Sequence, residues 1–244
     1  MMNIAHRGFS SQYPENTILA FQKALELGVN WLELDLQVTS DGHLIVLHDL
    51  TVDRRSDGSG AASEFTLDEI KSLDAGSWMS GEFTGQRIPT FQEIFDELDP
   101  STFLVVELKF EGTDAIEKVI QSINENNASE RVVISTFDLA KLPIVKQLAP
   151  ELPMTALLKS VGRTPSEMVT LAQDLGVDTL GPSSSDITEE TIKVAHEAGL
   201  LVRAHGLGED QGEEMNRIID LGVDGMTTNY PDVLQRILTE RGMI

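Results

Sequence analysis

Two short runs of the sequence carry carboxylates in a pattern typical of β-strands. In WLELDLQV, Glu33 and Asp35 alternate with leucines, and in VVELK, Glu107 lies between Val106 and Leu108. Because successive side chains of a strand point to opposite faces, the apolar face would meet surrounding helices and the carboxylates would point inward. Converging carboxylates stay ionised only beside compensating cations, and an all-oxygen cluster suits Mg²⁺ or Ca²⁺ rather than Zn²⁺. We therefore predict Glu33, Asp35 and Glu107 as ligands of one divalent cation, Mg²⁺ or Ca²⁺.

Basic and imidazole side chains accompany these carboxylates. The first predicted strand ends in His6 and Arg7. The run LIVLHD places His48 at another strand end, and Lys109 lies two residues beyond Glu107. Arg and Lys donate to phosphate oxygens, and two histidines can serve as general base and general acid. Three carboxylates, two side-chain cations and one divalent ion leave a single positive charge, which a phosphodiester monoanion would neutralise.

The strands and helices that must position these residues can be predicted from a sequence pattern that recurs along the chain. In this pattern an amphipathic helix is followed by a glycine and then by a β-branched run. It occurs around Gly28, Gly176, Gly199 and Gly222. Each glycine suits the end of a helix, where the left-handed conformation is accessible to glycine at low cost. Strands are predicted at 3–6, 31–39, 103–109, 132–136, 154–158, 179–181, 200–204 and 225–227. Helices are predicted at 15–27, 91–98, 114–124, 139–148, 165–175, 189–197, 212–221 and 232–239.

Eight strand–helix units predict an α/β fold, a closed (β/α)₈ TIM barrel, in one domain that spans residues 1–244. Active barrels carry their sites at the carboxyl ends of the strands. This placement favours a metal site over the alternative, a salt-bridged interior in which Arg7 and Lys109 only neutralise the carboxylates. Capping-box spacing supports helix starts at Thr90 with Glu93, Thr164 with Glu167 and Asp186 with Glu189.

Residues 51–89 interrupt this rhythm. The stretch is rich in Gly and Ser and contains one short helix, predicted at 67–73 behind a Thr66–Glu69 capping box. We interpret it as an insertion after the second strand. Because it follows the strand that carries two predicted metal ligands, we expect it to lie over the mouth of the barrel, although a plain surface excursion remains an alternative.

Composition restricts the partners. The 244 residues carry a net charge of −22, so the surface disfavours nucleic acid and anionic lipid. The chain has no cysteine, which excludes disulfides, thiolate catalysis and cysteine-based metal sites. No apolar run is long enough to span a membrane, and the sequence enters its first strand without a secretory leader. We therefore expect a cytoplasmic protein with a small-molecule partner and no stable membrane insertion.

Five phrases together resemble the glycerophosphodiester phosphodiesterase family. They are AHRGFSSQYPENT, ELDLQVTSDGHLIVLHDLTVDR, VELK, STF and GVDGMTTNYPD, and they extend from one end of the chain to the other. The resemblance implies a barrel with a small insertion after the second strand. It also implies metal ligands at Glu33, Asp35 and Glu107, paired histidines at His6 and His48, and phosphate ligands at Arg7 and Lys109. The reaction it implies is hydrolysis of a glycerophosphodiester to an alcohol and glycerol 3-phosphate.

One phrase departs from the family pattern. After the seventh strand the family usually has a tryptophan, as in VWTVN, whereas this chain reads VRAHGLGED, with His205 near the tryptophan position. The wall of the substrate pocket is therefore expected to differ, and no catalytic role is assigned to His205. Phe137 is predicted as an apolar wall of the pocket, with core packing as the alternative. His43 and His196 are expected at the surface.

The expected mechanism uses the cation and Arg7 to hold the phosphate oxygens, while Lys109 offsets developing charge. One of His6 and His48 deprotonates the attacking hydroxyl and the other protonates the leaving alcohol; the residues leave the assignment open, and the resemblance favours His48 as the acid. No motif places a protein nucleophile beside either histidine. The hydroxyl of the substrate's own glycerol is therefore the expected nucleophile, through a cyclic phosphate that water opens.

Three alternative functions differ from this one in the residues that they require. A metal-dependent lyase or aldolase barrel would require a carbonyl-activating lysine or a second charged cluster, which the later strands VVIST, MTALL and TLGP lack. A degenerate phosphodiester-binding barrel would be expected to have lost a ligand or a histidine. A related phospholipase D that acts on lysolipids or sphingomyelin would be favoured by an exposed apolar loop, for which Trp78, Met79 and Phe83 are the candidates.

Overall fold

Eight parallel strands close into a barrel in the computed structural model, which describes residues 1–159, 162–207 and 211–244. The barrel strands are β1 (Met2–His6), β2 (Trp31–Val38), β4 (Phe103–Leu108), β5 (Val132–Thr136), β6 (Met154–Leu157), β7 (Thr179–Gly181), β8 (Leu201–Ala204) and β9 (Gly225–Thr228). Each pairs in parallel with its neighbours in the order β1-β9-β8-β7-β6-β5-β4-β2, and pairing of β1 with β2 closes the ring. The predicted (β/α)₈ barrel is confirmed.

A ninth strand, β3 (Leu44–Val46), lies outside the ring. It pairs antiparallel with β2, so that Leu36 faces Val46 and the chain runs back beside the strand it has just left. His48, which is predicted at a strand end, therefore follows the hairpin strand β3. It does not follow a strand of the barrel. The hairpin carries His48 back to the level of the carboxylates, since Leu47 N–H donates to the Asp35 carbonyl at 3.0 Å.

The helices surround the barrel. They are α1 (Ile18–Glu26), α2 (Leu67–Ser72), α3 (Phe91–Glu97), α4 (Ile116–Glu125), α5 (Leu142–Leu148), α6 (Pro165–Leu175), α7 (Glu189–Glu197), α8 (Gln211–Asp220) and α9 (Pro231–Glu240). The four repeated glycines all have positive φ, between 65° and 91°, as expected for residues that end helices. The capping boxes at Thr66, Thr90 and Thr164 are present.

One predicted helix start and one predicted capping box are wrong. The helix predicted from Glu15 begins at Ile18, because Thr17 accepts the N–H of Ala20 and caps the helix there. This leaves Glu15 in the preceding turn, free to contact the site. The box predicted at Asp186 with Glu189 is instead formed by Thr188 and Thr191, two residues further along.

The core lies between the barrel and the helices. Leu32, Leu34 and Leu36 of β2 are fully buried within it, which confirms the alternation predicted for this strand. Their burial against the helices turns the opposite face of β2 to the barrel interior, which is where Glu33 and Asp35 are required for a site.

The inserted segment has a small core of its own. Ile45, Val52, Ile70 and Ile88 form a cluster separate from the main one, together with Leu47, Ala62 and Ala75. Its aromatic residues pack against neighbours: Arg55 lies over the Trp78 ring at 3.9 Å, and the Phe83 and Tyr13 rings are 5.8 Å apart. No helix within the described ranges has the length and apolar content needed to cross a bilayer.

Candidate active site

Three carboxylates meet at the carboxyl ends of β2 and β4. Asp35 and Glu107 are direct cross-strand partners, and Glu33 lies one inward position before Asp35. One oxygen from each of the three lies within 4.8 Å of the others, and the residues Glu33, Asp35 and Glu107 are 3%, 0% and 6% exposed. Asp35 Oδ1 is buried without a hydrogen-bond partner. The arrangement matches the oxygen donor set of a hard divalent cation, and the unpartnered oxygen fits a metal ligand.

Repulsion within this cluster is strong. Burial raises the pKa of Glu33 well above its usual value, and the charges of Asp35 and Glu107 add to the increase. Burial also raises the pKa of Glu107, again with a contribution from Asp35. Carboxylates in such surroundings either take up protons or bind a cation, so the cluster favours a divalent ion that keeps all three ionised.

Arg7 lies beside the cluster on a tight turn at the end of β1. Its backbone has φ 57°, and Gly8 follows with φ 81° where a Cβ would lie 2.6 Å from the Ala20 carbonyl carbon. The turn folds Arg7 back over the barrel mouth. Its Nε forms an ion pair with Asp35 Oδ2 at 3.0 Å, and its backbone N–H donates to Glu33 Oε2 at 3.0 Å. The turn thus binds one carboxylate through the side chain and another through the backbone.

Lys109 is the second cation. Its Nζ lies 3.1 Å from Glu107 Oε1 and 5.9 Å from the centre of the Phe137 ring. The segment that carries it is held by Lys141, a nearly fully buried lysine whose Nζ donates to the carbonyls of Leu108 and Phe110. Lys141 therefore fixes the chain on both sides of Lys109.

Each catalytic candidate among the histidines has one ring nitrogen engaged. His6 Nδ1 lies 2.5 Å from Asn229 Oδ1, an oxygen that also accepts from Ser10 Oγ, so Nδ1 carries the proton. His48 Nδ1 lies 2.5 Å from Asp49 Oδ1. With Nδ1–H donating in both rings, each Nε2 is left unprotonated and available to a substrate.

The two histidines differ in their electrostatic surroundings. Burial, assisted by the charge of Arg7, lowers the pKa of His6 to about 4. Burial also lowers the pKa of His48, and there Asp35 and the ionised Asp49 oppose the shift. Both rings are therefore neutral near pH 7, while the orienting partner is a neutral amide for His6 and a carboxylate for His48.

One cavity of about 240 Å³ collects these groups. Seven of the eight predicted site residues line it: His6, Arg7, Glu33, His48, Glu107, Lys109 and Phe137. Asp35, the eighth, is fully buried beneath them. The Phe137 ring meets the His205 ring edge-on at 5.1 Å, and His205 Nε2 lies 3.0 Å from the Leu158 carbonyl oxygen. His205 lines the cavity, whereas residues 208–210 of the divergent phrase lie outside the described part of the chain.

Several residues at the site were missed by the sequence interpretation. Asn229 and Asp49 orient the histidines. Glu15 accepts hydrogen bonds from Arg7 and Arg54, both at 3.0 Å, and pairs with Arg55 at 2.9 Å, so that these arginines outweigh burial and lower its pKa to about 2. Glu15, Asp49 and Asn229 all lie within the sequence phrases that resemble the family. Their place in those phrases is the one feature of the sequence that indicates a role at the site.

The remaining histidines lie at the surface, as expected. The His43 side chain is 52% exposed. The His196 side chain is 40% exposed and pairs with Asp224 at 2.8 Å. Neither lines the cavity.

Comparison with known proteins gives a consistent result. The model of the glycerophosphoryl diester phosphodiesterase family matches residues 6–233. The glycerophosphodiester phosphodiesterase of Caldanaerobacter subterraneus subsp. tengcongensis is 41% identical over 245 residues, covering 98% of both chains. The Bacillus subtilis glycerophosphodiester phosphodiesterase is 31% identical over 260 residues, covering 97% of this chain and 86% of its own.

Solved structures share the fold. A phosphodiesterase of Oleispira antarctica, in complex with the product sn-glycerol-3-phosphate, has a TM-score of 0.85 at 26% identity, covering 97% of this chain and 96% of its own. A putative glycerophosphoryl diester phosphodiesterase of Silicibacter pomeroyi has a TM-score of 0.87 at 27% identity, covering 98% and 93%. The chain therefore belongs to the glycerophosphoryl diester phosphodiesterase family and is a phosphoric diester hydrolase.

Proposed function

We propose that this chain hydrolyses glycerophosphodiesters to an alcohol and glycerol 3-phosphate, with one divalent cation, Mg²⁺ or Ca²⁺, held by Glu33, Asp35 and Glu107. The observation that supports this most directly is the meeting of three buried carboxylates with two histidines, each held at Nδ1, at one cavity. When bound, the cation supplies positive charge to the phosphate oxygens. Arg7 binds a further phosphate oxygen, and Lys109 stabilises the negative charge that develops there.

The contrast between the histidines supports a division of roles. His6 has a neutral partner and a strongly lowered pKa, so its Nε2 is free to accept the proton of the attacking hydroxyl. The Nε2 of His48 is unprotonated in the free protein, so His48 acts as the acid from its imidazolium form, which the Asp49 carboxylate at Nδ1 and the negative charge of a bound phosphodiester both favour. His6 is therefore the base and His48 the acid that protonates the leaving alcohol.

The nucleophile is the hydroxyl of the substrate's glycerol next to the phosphorylated carbon. Attack within one molecule gains an effective molarity that reaches about 10⁵ M or more in well-oriented systems. The first step then gives a cyclic phosphate and the free alcohol. Water opens the ring in the second step, where His48, left unprotonated by the first step, accepts the proton of water and His6 returns its proton to the glycerol oxygen.

The proposal is tested by the release of glycerol 3-phosphate from a panel of glycerophosphodiesters, with and without chelator. Hydrolysis in Mg²⁺ or Ca²⁺ that stops in excess chelator is expected, and full activity in chelator would rule out the metal. A substrate analogue that lacks the neighbouring hydroxyl should be cleaved far more slowly at similar affinity. Equal rates for the two would mean that water attacks the phosphorus directly. Binding of substrate without any turnover would indicate a degenerate phosphodiester-binding barrel.

The panel also bears on the phospholipase alternative. Its candidate docking residues, Trp78, Met79 and Phe83, are half-buried, and the two aromatic rings pack against Arg55 and Tyr13. Faster turnover of lysolipids than of water-soluble diesters would favour that alternative. The cytoplasmic location stays a prediction from the sequence.

A further inference from the structure

Arg203 lies in the floor of the cavity and has no part in the mechanism above. Its neighbours on β8, Val202 and Ala204, are fully buried in the core around the barrel, so alternation turns Arg203 to the barrel interior. The side chain is 4% exposed and lines the cavity. In the ring of strands, three strands separate β8 from β4 in either direction. Arg203 therefore faces Glu107 and Lys109 from the opposite side of the barrel.

The Arg203 guanidinium has few partners. Its Nη1 donates to Thr227 Oγ1 at 3.0 Å, and its Nε is buried without a hydrogen-bond partner. Within the ranges that the structure describes, no carboxylate oxygen lies within 4.0 Å of it. Ser135 Oγ, also in the floor of the cavity, is likewise buried and unpartnered. Glu33 and Glu107 attract the Arg203 charge, yet its Nε and the Ser135 hydroxyl are both buried without hydrogen-bond partners, which is unfavourable. A ligand in the cavity can supply those partners.

Arg203 also changes the charge of the site. Arginine stays protonated at any ordinary pH. With a divalent cation bound, the three carboxylates, the three side-chain cations and the ion leave two positive charges where the sequence had indicated one. A simple phosphodiester supplies one negative charge, so one positive charge in the cavity stays unmatched. A ligand with a second acid group would match it.

We propose that, among the phosphodiesters hydrolysed at this site, the cavity prefers those in which the buried three-carbon alcohol ends in a carboxylate, that is, a glycerate unit. The phosphate binds at the metal side and the carboxylate reaches across the barrel to Arg203, whose planar fork suits a carboxylate. Ser135 pairs across the strands with Glu107, so its hydroxyl lies on the phosphate side of the cavity. A cavity of about 240 Å³ has room for a three-carbon phosphate ester. The inference rests on the proposed function, because it assumes the same site and cleavage of the same phosphodiester bond.

The test compares two phosphomonoesters that differ at one carbon. The binding of 3-phosphoglycerate and of sn-glycerol 3-phosphate to the wild-type protein in saturating Mg²⁺ is measured by titration calorimetry. A charge-assisted contact with Arg203 should make 3-phosphoglycerate bind at least about tenfold more tightly. Equal or weaker binding of 3-phosphoglycerate overturns the inference, and this comparison needs no variant.

Variants then assign the preference to Arg203. Arg203→Met, which keeps length and removes the charge, and Arg203→Gln should both bring the two affinities together. Arg236→Gln is the matched control, because it removes one charge from an exposed position on α9 and should keep the preference. A preference that survives in a folded Arg203 variant contradicts the assignment. Hydrolysis of ordinary glycerophosphodiesters without any preference for phosphoglycerate overturns this inference alone, whereas absence of both hydrolysis and phosphate binding overturns the proposed function as well.

Discussion

The first half of the barrel (β1, β2 and β4) and the second half (β5 to β9) are built differently. β1, β2 and β4 place His6, Glu33, Asp35 and Glu107 at the cavity, with Arg7 and Lys109 directly after the strands. In β5 to β9, all of which the structure describes, Arg203 is the one charged side chain, and the inward positions are otherwise mainly small and neutral. The chain therefore concentrates the groups that can move protons or hold a cation on one side, and uses the other side to shape the cavity.

This asymmetry has an electrostatic origin. Carboxylates, imidazoles and a cation act on one phosphate only if they lie within a few ångströms of each other, so they must come from adjacent strands. Neighbouring β1, β2 and β4 meet that requirement through their direct pairing. The strands β6, β7 and β8 lie across the ring from these three, so their inward side chains can shape the cavity but do not meet the proton-transferring groups directly. Substitutions in the two halves should therefore have distinct kinetic signatures.

The largest effect is expected from removing charge in the first half. Asp35→Asn keeps the shape of the side chain but removes a carboxylate that faces the cluster and pairs with Arg7. Loss of the metal's contribution, worth several kcal/mol, should lower turnover about a thousandfold or more. Glycerol 3-phosphate release across a Mg²⁺ titration measures it. Thr155→Ser on β6, an equally buried position in the other half, is the control and should stay active.

The histidines come next. His6→Ala and His48→Ala should each lower turnover by roughly a hundredfold or more while metal binding persists. The proposed roles separate when the leaving group is changed. A diester of glycerol phosphate with nitrophenol, whose anion leaves without an acid, should restore the first step, seen as release of nitrophenolate, in the His48 variant and not in the His6 variant. The opposite pattern of rescue would reverse the assignment of acid and base.

A smaller effect is expected from the residue that orients His6. Asn229→Asp places a carboxylate at Nδ1, which should raise the lowered pKa of His6. Because the base must be neutral, the acidic limb of kcat/KM is expected near pH 4 in the wild type and at higher pH in the variant. The same shift makes the fold less stable in acid. Because the pKa of His6 is lower in the folded than in the unfolded chain, stability falls as the pH drops from about 6.5 toward about 4. An acidic limb that does not move would mean that His6 is not the base.

The inserted segment should influence the alcohol more than the chemistry. It contributes no described residue to the wall of the cavity, yet Arg54 and Arg55 reach the site through Glu15. The structure thus shows a contact between this segment and the site through Glu15, while the position of the segment over the barrel mouth stays a prediction. Trp78→Leu, which removes the ring beneath Arg55, should change relative rates among head groups a few-fold and leave Mg²⁺ affinity unchanged. Equal changes for all head groups would argue against a role in alcohol choice.

The first half of the barrel could be predicted from the sequence far better than the second. Alternation in WLELDLQV fixes which side chains point inward, because a strand has only two faces, and Glu33 and Asp35 followed from it. The same reasoning applies to LVRA, where Arg203 alternates with Val202 and Ala204, and it would have placed this arginine in the cavity. Glu15, Asn229 and Asp49 could not be placed in this way, since they lie in turns whose course depends on tertiary contacts.

The smallest effect, and the one that tests the second half directly, concerns Phe137. The ring lines the cavity between Lys109 and His205 but carries no group that can transfer a proton. Phe137→Leu should raise KM a few-fold with kcat nearly unchanged, because the ring contributes contact area to the ground state and the transition state alike. Phe21→Leu, the same change at a fully buried position on α1, should lower the melting temperature and leave KM unchanged. If Phe137→Leu instead lowered kcat with KM constant, the ring would be positioning Lys109 in the transition state, and the division between a chemical half and a recognition half would fail at β5.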